Sequence, residues 1–100
     1  MLARMHVLET TGATYAEGLR LVRDELLPWA RESTGFRGPI GLVDRAHDKA
    51  FVLTFWEDGA ALAASEAAGD RLSLLAAETA GATRRSLETL EVSIFDLPGY

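Results

Sequence analysis

The chain has 100 residues, 48% of them apolar and 25% charged, with a net charge of −5, which suits one domain over residues 1–100 and leaves no room for a second. The acidic balance excludes a nucleic-acid surface, which needs clustered Lys and Arg, and Arg84 with Arg85 is the only adjacent basic pair. No apolar run approaches the roughly eighteen residues of a membrane span, and the lack of cysteine removes disulfides, thiolate metal sites and cysteine nucleophiles together.

Met1 to Thr10 lacks the basic patch, apolar stretch and cleavage site of a signal peptide, so a cytoplasmic protein is expected. Leu2 to Glu9 alternates apolar and polar residues and predicts a strand, with Thr11, Gly12 and Ala13 as its exit. Thr14 and Glu17 have capping-box spacing at the start of a helix. Tyr15, Leu19, Val22, Leu26 and Trp29 then form its apolar stripe, with Glu17, Arg20, Asp24 and Arg31 opposite, and the helix ends near Gly35. Pro28 falls on the polar side, which predicts a bend and not a break.

Phe36 to Arg45 and Ala50 to Glu57 read as two strands of an antiparallel hairpin around Ala46, His47, Asp48 and Lys49. An alanine-rich helix follows from Asp58 to Gly69, where glycine suits a C-terminal cap; Asp70 caps a second helix reaching about Ala80. Leu87 to Leu97 alternates as a last strand before Pro98 and Gly99. The order is strand, helix, strand, strand, helix pair, strand: an α+β, ferredoxin-like βαββ(αα)β subunit.

With a four-residue turn, Leu42 faces Leu53 and Ile40 faces Phe55, while Val43 faces Val52 and Gly41 faces Thr54 beside Trp56. Both sheet faces are then too apolar for open water, and one chain's helices can cover only one. A homodimer joined sheet to sheet is therefore expected. The face of Gly41, Val43, Val52, Thr54 and Trp56 has the smaller side chains, and short alanines dominate the arm from Ala60 to Ala68. Either a lined pocket or close packing of a small-residue helix follows if that face lies beneath the arm.

These segments resemble the antibiotic biosynthesis monooxygenase family of dimeric α+β barrels. The likeness covers nearly the whole chain: the first strand, the helix leading into Gly35-Phe36-Arg37-Gly38, the Leu42-Val43-Asp44-Arg45 hairpin, the strand ending in Trp56-Glu57-Asp58, and the terminal Glu91 to Leu97. The resemblance implies a cofactor-independent oxygenase with an aromatic at position 56 and a pocket between sheet and helices. In quinone-forming members it also implies an asparagine four residues before that tryptophan, a tyrosine six after, and an arginine farther along the arm. Here Val52 and Leu62 stand at the first two positions, and Arg71 comes one turn or more early. Haem-degrading members need a histidine and a second tryptophan on the arm, and this arm has neither.

Trp56 is suited to serve as an aromatic wall with an indole donor; equally, it is suited to anchor the core at a strand end. His6 is suited to take a phenolic proton near neutral pH, or to sit as a buried imidazole without chemistry. Thr54 and Arg4 are candidates to orient a ligand, Gly41 to leave it room, and Glu66 to orient a ligand or His6, although a solvated glutamate is the plainer reading. The two histidines lie on separate elements with no ligand spacing, so no metal site is expected. Glycine-rich phosphate loops and a serine nucleophile elbow are absent as well.

The resulting expectation is a monooxygenase acting on an aromatic or polyketide-like small molecule, without cofactor or metal, with His6 and Trp56 as catalytic residues. The alternative is a non-catalytic dimer that binds a small apolar or aromatic ligand or assists a pathway.

Overall fold

Alternating apolar residues at the start of the chain form β1, Leu2–Thr10, and this strand becomes the centre of the sheet because two others pair along nearly its whole length. In the computed structural model, which describes residues 1–10, 15–79 and 81–96, the strands are ordered β2-β3-β1-β4, all antiparallel. They comprise β2, Phe36–Asp44, β3, Lys49–Trp56, and β4, Ala82–Glu91. Helices α1, Tyr15–Leu21, α2, Leu27–Arg31, and α3, Gly59–Thr79, complete a ferredoxin-like βαββαβ fold. The predicted strand exit at Thr11 to Ala13, the cap at Thr14, and Pro98 with Gly99 lie outside the described residues.

The first helical segment accommodates Pro28 by widening. Between α1 and α2, Val22–Leu26 is a π-helical stretch, in which the Leu27 N–H bonds back five residues to the Val22 carbonyl. Pro28 then falls in the first turn of α2, where its missing N–H disrupts least. The wider turn also shifts the buried stripe. Leu26 and Ala30 are buried, whereas Leu19, predicted for the stripe, is 43% exposed. Glu17, Arg20, Asp24 and Arg31 are exposed, as the pattern predicts. The helix stops at Arg31, not near Gly35.

Gly35 belongs to the turn into β2. It has φ +83, its carbonyl accepts the Glu57 N–H at 2.7 Å, and a Cβ placed on it would lie 2.5 Å from the Ala61 Cβ. Glycine is needed there both for the left-handed conformation and for the close approach of α3.

The hairpin turn is Arg45 to Asp48, one residue earlier than predicted. Asp48 takes φ 53, and the Asp44 carboxylate accepts the His47 backbone N–H at 3.3 Å and meets its Nδ1 at 2.8 Å. The register therefore shifts: Leu42 faces Phe51, Ile40 faces Leu53, Gly41 faces Val52 and Val43 faces Ala50. This corrects the predicted pairs by two residues. Because side chains alternate with period two, an even shift leaves each of these residues on its expected face.

Two further expectations are corrected. The helical arm is not broken at Gly69: α3 runs through it to Thr79, and its C-terminal turn ends at Gly81, φ 66, whose N–H bonds to the Glu78 carbonyl at 3.0 Å. Gly69 instead faces Trp29, whose ring carbons would lie 3.0 and 3.3 Å from an added Cβ. The absent side chain makes room for an indole, and tertiary packing overrides glycine's poor helix propensity. The last strand also spans Ala82–Glu91 in place of Leu87 to Leu97, since β4 can extend only where β1 offers partners. Beyond it the Val92 N–H reaches the Met1 carbonyl at 3.0 Å, and Phe95 packs edge-on against Phe55 with ring centroids 5.3 Å apart.

The helices lie on one side of the sheet. Leu2, Arg4 and His6 of β1 share that side with Val52, Thr54 and Trp56 of β3, and Arg4 reaches α3 directly. The opposite face presents Met5, Val7, Ile40, Leu42, Phe51 and Leu53, with Leu42 53% exposed. Among the described residues, no helix is long and apolar enough to cross a membrane.

Gly35→Ala combines left-handed strain with overpacking against α3, so a loss of roughly 2–4 kcal/mol is expected. It reads as a lower urea midpoint at unchanged slope; a variant within about 0.5 kcal/mol of the parent would show that the turn relaxes freely.

At the far end of the sheet, Arg85 Nε lies 2.5 Å from Glu9 Oε2, across the bulge where β4 carries an extra residue opposite Val7 and Leu8. Hydrogen bonding and charge from Arg85 hold the Glu9 carboxyl below its usual value of 4.5. Its folded value being the lower one, the pair's contribution is complete above the ordinary carboxylate range and is lost as pH falls through the folded value. Both side chains are exposed, so the effect is small. The stability gap between the parent and Arg85→Gln should therefore close on acidification below that range, and a gap that stays constant to low pH would exclude Glu9 as its source.

Candidate functional site beneath the helical arm

Among the described residues, the helix-covered face carries most of the buried polar side chains. Arg4 and His6, two residues apart on β1, are each 5% exposed. Arg4 stands opposite Thr54 on β3 and Thr89 on β4, and His6 stands opposite Val52 and Leu87. Strand alternation alone aims both side chains into the layer beneath α3.

A buried guanidinium requires an anion. It finds Glu66 of α3, whose Oε1 lies 3.2 Å from Arg4 Nη2. The pair is lopsided: the Arg4 side chain is 6% exposed and that of Glu66 63%. Arg4 Nε is fully buried and makes no hydrogen bond among the described residues. The glutamate is thus both solvated on one side and engaged with the sheet on the other.

Trp56 closes β3 at the opposite end of this face and is 3% exposed. Its indole Nε1–H donates to Thr54 Oγ1 at 3.0 Å, and its ring packs on Phe36 at a centroid distance of 5.1 Å and an angle of 60°. Phe36 reaches that position through a β-bulge: Arg37 is the extra residue, Gly38 takes φ 120, and Phe36 falls opposite Trp56. The bulge is also where Arg37 pairs with Glu57 at 3.2 Å.

Leu62 and Ser65 cover the face from α3. Both are buried, and the Ser65 hydroxyl donates to the Leu62 carbonyl at 2.8 Å. Between α2 with its following turn and the first half of α3 lies an open groove of about 510 Å³ that reaches Ser65 but is not lined by Arg4, His6, Thr54 or Trp56. Trp29 and Thr34 form one wall, Ala60 and Ala64 the other, and Glu57 and Asp58 its rim. Asp58 also caps α3 by accepting the Ala61 N–H at 2.9 Å.

His6, Arg4, Thr54 and Trp56 therefore share one sheet face, and Glu66 reaches it from α3. Gly41 shares the side but stands apart on edge strand β2, exposed and with nothing within 4 Å of an added Cβ. Sequence reasoning missed Phe36 and Ser65. The bulge that turns Phe36 inward was foreshadowed only by Gly38, and Ser65 falls one residue before Glu66 on a helix whose buried face carries little periodic signal. Among the described residues, no group of three or more His, Cys, Asp or Glu is gathered as metal ligands.

No family model matches the chain, and no curated protein matches it by sequence. Solved structures do resemble it. A candidate antibiotic biosynthesis monooxygenase from Deinococcus radiodurans superposes with a TM-score of 0.71 at 14% identity, covering 99% of this chain and 100% of that one. SnoaB, a cofactor-independent oxygenase from Streptomyces nogalater, gives 0.70 at 18% identity over 97% of this chain and 96% of its own. A monooxygenase from the gene ActVA-Orf6 of Streptomyces coelicolor, in complex with nanaomycin D, gives 0.67 at 16% identity over 96% and 92%. The chain shares the ferredoxin-like fold of these structures.

Replacing the acceptor of the buried indole should be felt in stability. Thr54→Val keeps the shape but strands the Trp56 N–H, so a loss of about 1–3 kcal/mol is expected, whereas Thr54→Ser retains the acceptor. Equal denaturation midpoints for Thr54→Val and the parent would mean that the N–H finds another oxygen.

Proposed function

We propose, on the fold this chain shares with the antibiotic biosynthesis monooxygenase-like structures, that it is a cytoplasmic, cofactor-independent monooxygenase acting on an electron-rich aromatic or polyketide-like molecule. The observation that carries the reading is the burial of Arg4 and His6 side by side beneath α3. Polar groups are costly to bury and are kept there where they meet one another or a ligand.

In this mechanism the substrate supplies the electrons. His6 takes a phenolic proton, and the resulting electron-rich carbon reacts with oxygen. One oxygen atom enters the product as a carbonyl and the other leaves as water, so the substrate carbon is oxidised and oxygen is reduced. Trp56 forms the aromatic end wall. Arg4 and Thr54 orient the substrate, Glu66 neutralises Arg4 until substrate arrives, and Gly41 leaves space at the outer edge. Val52 and Leu62, apolar where polar partners are implied by family likeness, favour a dry site, in which charge is stabilised more strongly than in water.

The reading includes a homodimer of single-domain subunits joined through their open sheet faces into an α+β barrel. Leu42, Ile40, Leu53 and Phe51 form an apolar surface that a second copy would cover. A second reading, a non-catalytic dimer that binds a small aromatic ligand or assists a pathway, is favoured by one observation: the Trp56 N–H is already donated to Thr54.

Oxygen uptake with an anthrone-type substrate separates the two. The oxygenase reading expects uptake that falls at least about a hundredfold in His6→Ala; uptake unaffected by that change would remove His6 from the chemistry. Saturable binding without any uptake would instead establish the binding protein.

The assembly has its own test. Sedimentation should give twice the chain mass for the parent and one chain mass for Leu42→Glu, and a monomeric parent would sink the sheet-to-sheet dimer.

A further inference from the structure

We propose that the Arg4–Glu66 pair is an exchange site, at which an anionic oxygen on a planar aromatic ligand takes the Arg4 guanidinium as Glu66 swings into solvent. This names the ligand class, an aromatic phenolate, enolate or carboxylate, and it rests on the reading of the helix-covered face as a ligand site.

The asymmetry of the pair carries the inference. Arg4 is fixed: it stands in the central strand, flanked on both sides by paired strands, and is 5% exposed. Glu66 stands on α3 with its side chain 63% exposed, and it meets Arg4 at Nη2. Nε shares the side-on edge of the guanidinium with Nη2, and it is fully buried and without a hydrogen bond among the described residues. A guanidinium fork grips an oxyanion best through two parallel N–H bonds. Here the Nε prong of that fork has no acceptor, and the counter-ion at the Nη2 prong is largely solvated, so an oxyanion that grips both prongs takes the place of Glu66.

Charge balance explains why exchange is favoured over simple addition. A second anion entering while Glu66 stayed would place two negative charges around one buried cation, which is unfavourable at low dielectric. An anion that replaces Glu66 keeps the buried pair neutral and returns a carboxylate to water, where its solvation is nearly complete. A neutral aromatic gains nothing from Arg4 and leaves the pair intact. Thr54, opposite Arg4, accepts from Trp56, and its own O–H can donate to a neutral carbonyl as well as to an oxyanion, so discrimination by charge falls to Arg4.

The test is calorimetric binding of anthraquinone-2-carboxylate and its neutral 2-carboxamide to the full chain, without turnover. Glu66→Gln removes the competing charge from an exposed position, so the carboxylate should bind about three- to tenfold tighter while the carboxamide is unchanged. Glu17→Gln, which removes the same charge from an exposed site on α1, should alter neither. Arg4→Lys keeps the charge but not the fork, and should lose the preference for carboxylate over carboxamide.

Carboxylate affinity that is unchanged or weaker in Glu66→Gln overturns the proposal. So does an equal shift for both probes, or no carboxylate binding to either protein at millimolar concentration. Oxygen uptake is read separately on the parent. Anion-selective exchange without uptake removes the oxygenase and leaves the exchange site, whereas uptake with no Glu66→Gln effect on binding does the reverse.

Discussion

A single layer of helix covers one face of a four-stranded sheet, and the placement of nearly every other side chain follows from which face that is. In an ordinary half-covered sheet the apolar residues turn toward the helices and the polar ones toward water. Here the covered face includes Arg4, His6 and Thr54, while the uncovered face carries Met5, Val7, Ile40, Leu42, Phe51 and Leu53. The pattern is partly inverted. The uncovered side is left apolar and the covered side holds polar groups, the two observations on which the proposed dimer and the proposed ligand rest.

Much of this was legible in the sequence because alternation has a period of two. The hairpin register was misjudged by two residues, yet Ile40 to Val43 and Phe51 to Trp56 stayed on their expected faces, so the grouping of Thr54 with Trp56 survived the error. Features that depend on distant contacts were not legible. Gly69 reads as a helix cap until Trp29 is seen against it, and β4 reads as reaching Leu97 until β1 is seen to end at Leu2. The π-helical stretch before Pro28 likewise follows from a local conflict, a missing N–H inside a helix, that has more than one resolution. The alignment of Arg4 with Glu66, sixty-two positions apart (66 − 4), needed the fold itself.

Trp56 illustrates how the candidate site changed in character between sequence and structure. As a residue type at a strand end it offers a ring and a donor. In place, the donor is committed to Thr54 and the ring is held by Phe36, so what remains is shape: a rigid apolar end to the covered face. The polar capacity lies instead on β1. Wall and charge are supplied by adjacent strands, with Leu2 opposite Trp56 and Arg4 opposite Thr54, so the antiparallel register fixes their relative height on the sheet.

The energetic setting of Arg4 makes that division physically consequential. Burying a guanidinium costs several kcal/mol of solvation, and a pair with a largely solvated carboxylate recovers only part of it; an apolar residue of similar size would serve stability as well or better. The strain of that arrangement is local, because the surrounding layer is otherwise well packed by Leu62, Ser65 and Trp56. A cation held in this way is poised. Its position is set by the sheet, and its counter-ion is held on a helix surface open to water. The same low dielectric that makes the unpartnered Nε–H costly would, on the proposed reading, strengthen its bond to a ligand oxyanion. The proposed preference for an anionic ligand rests on that one desolvated charge.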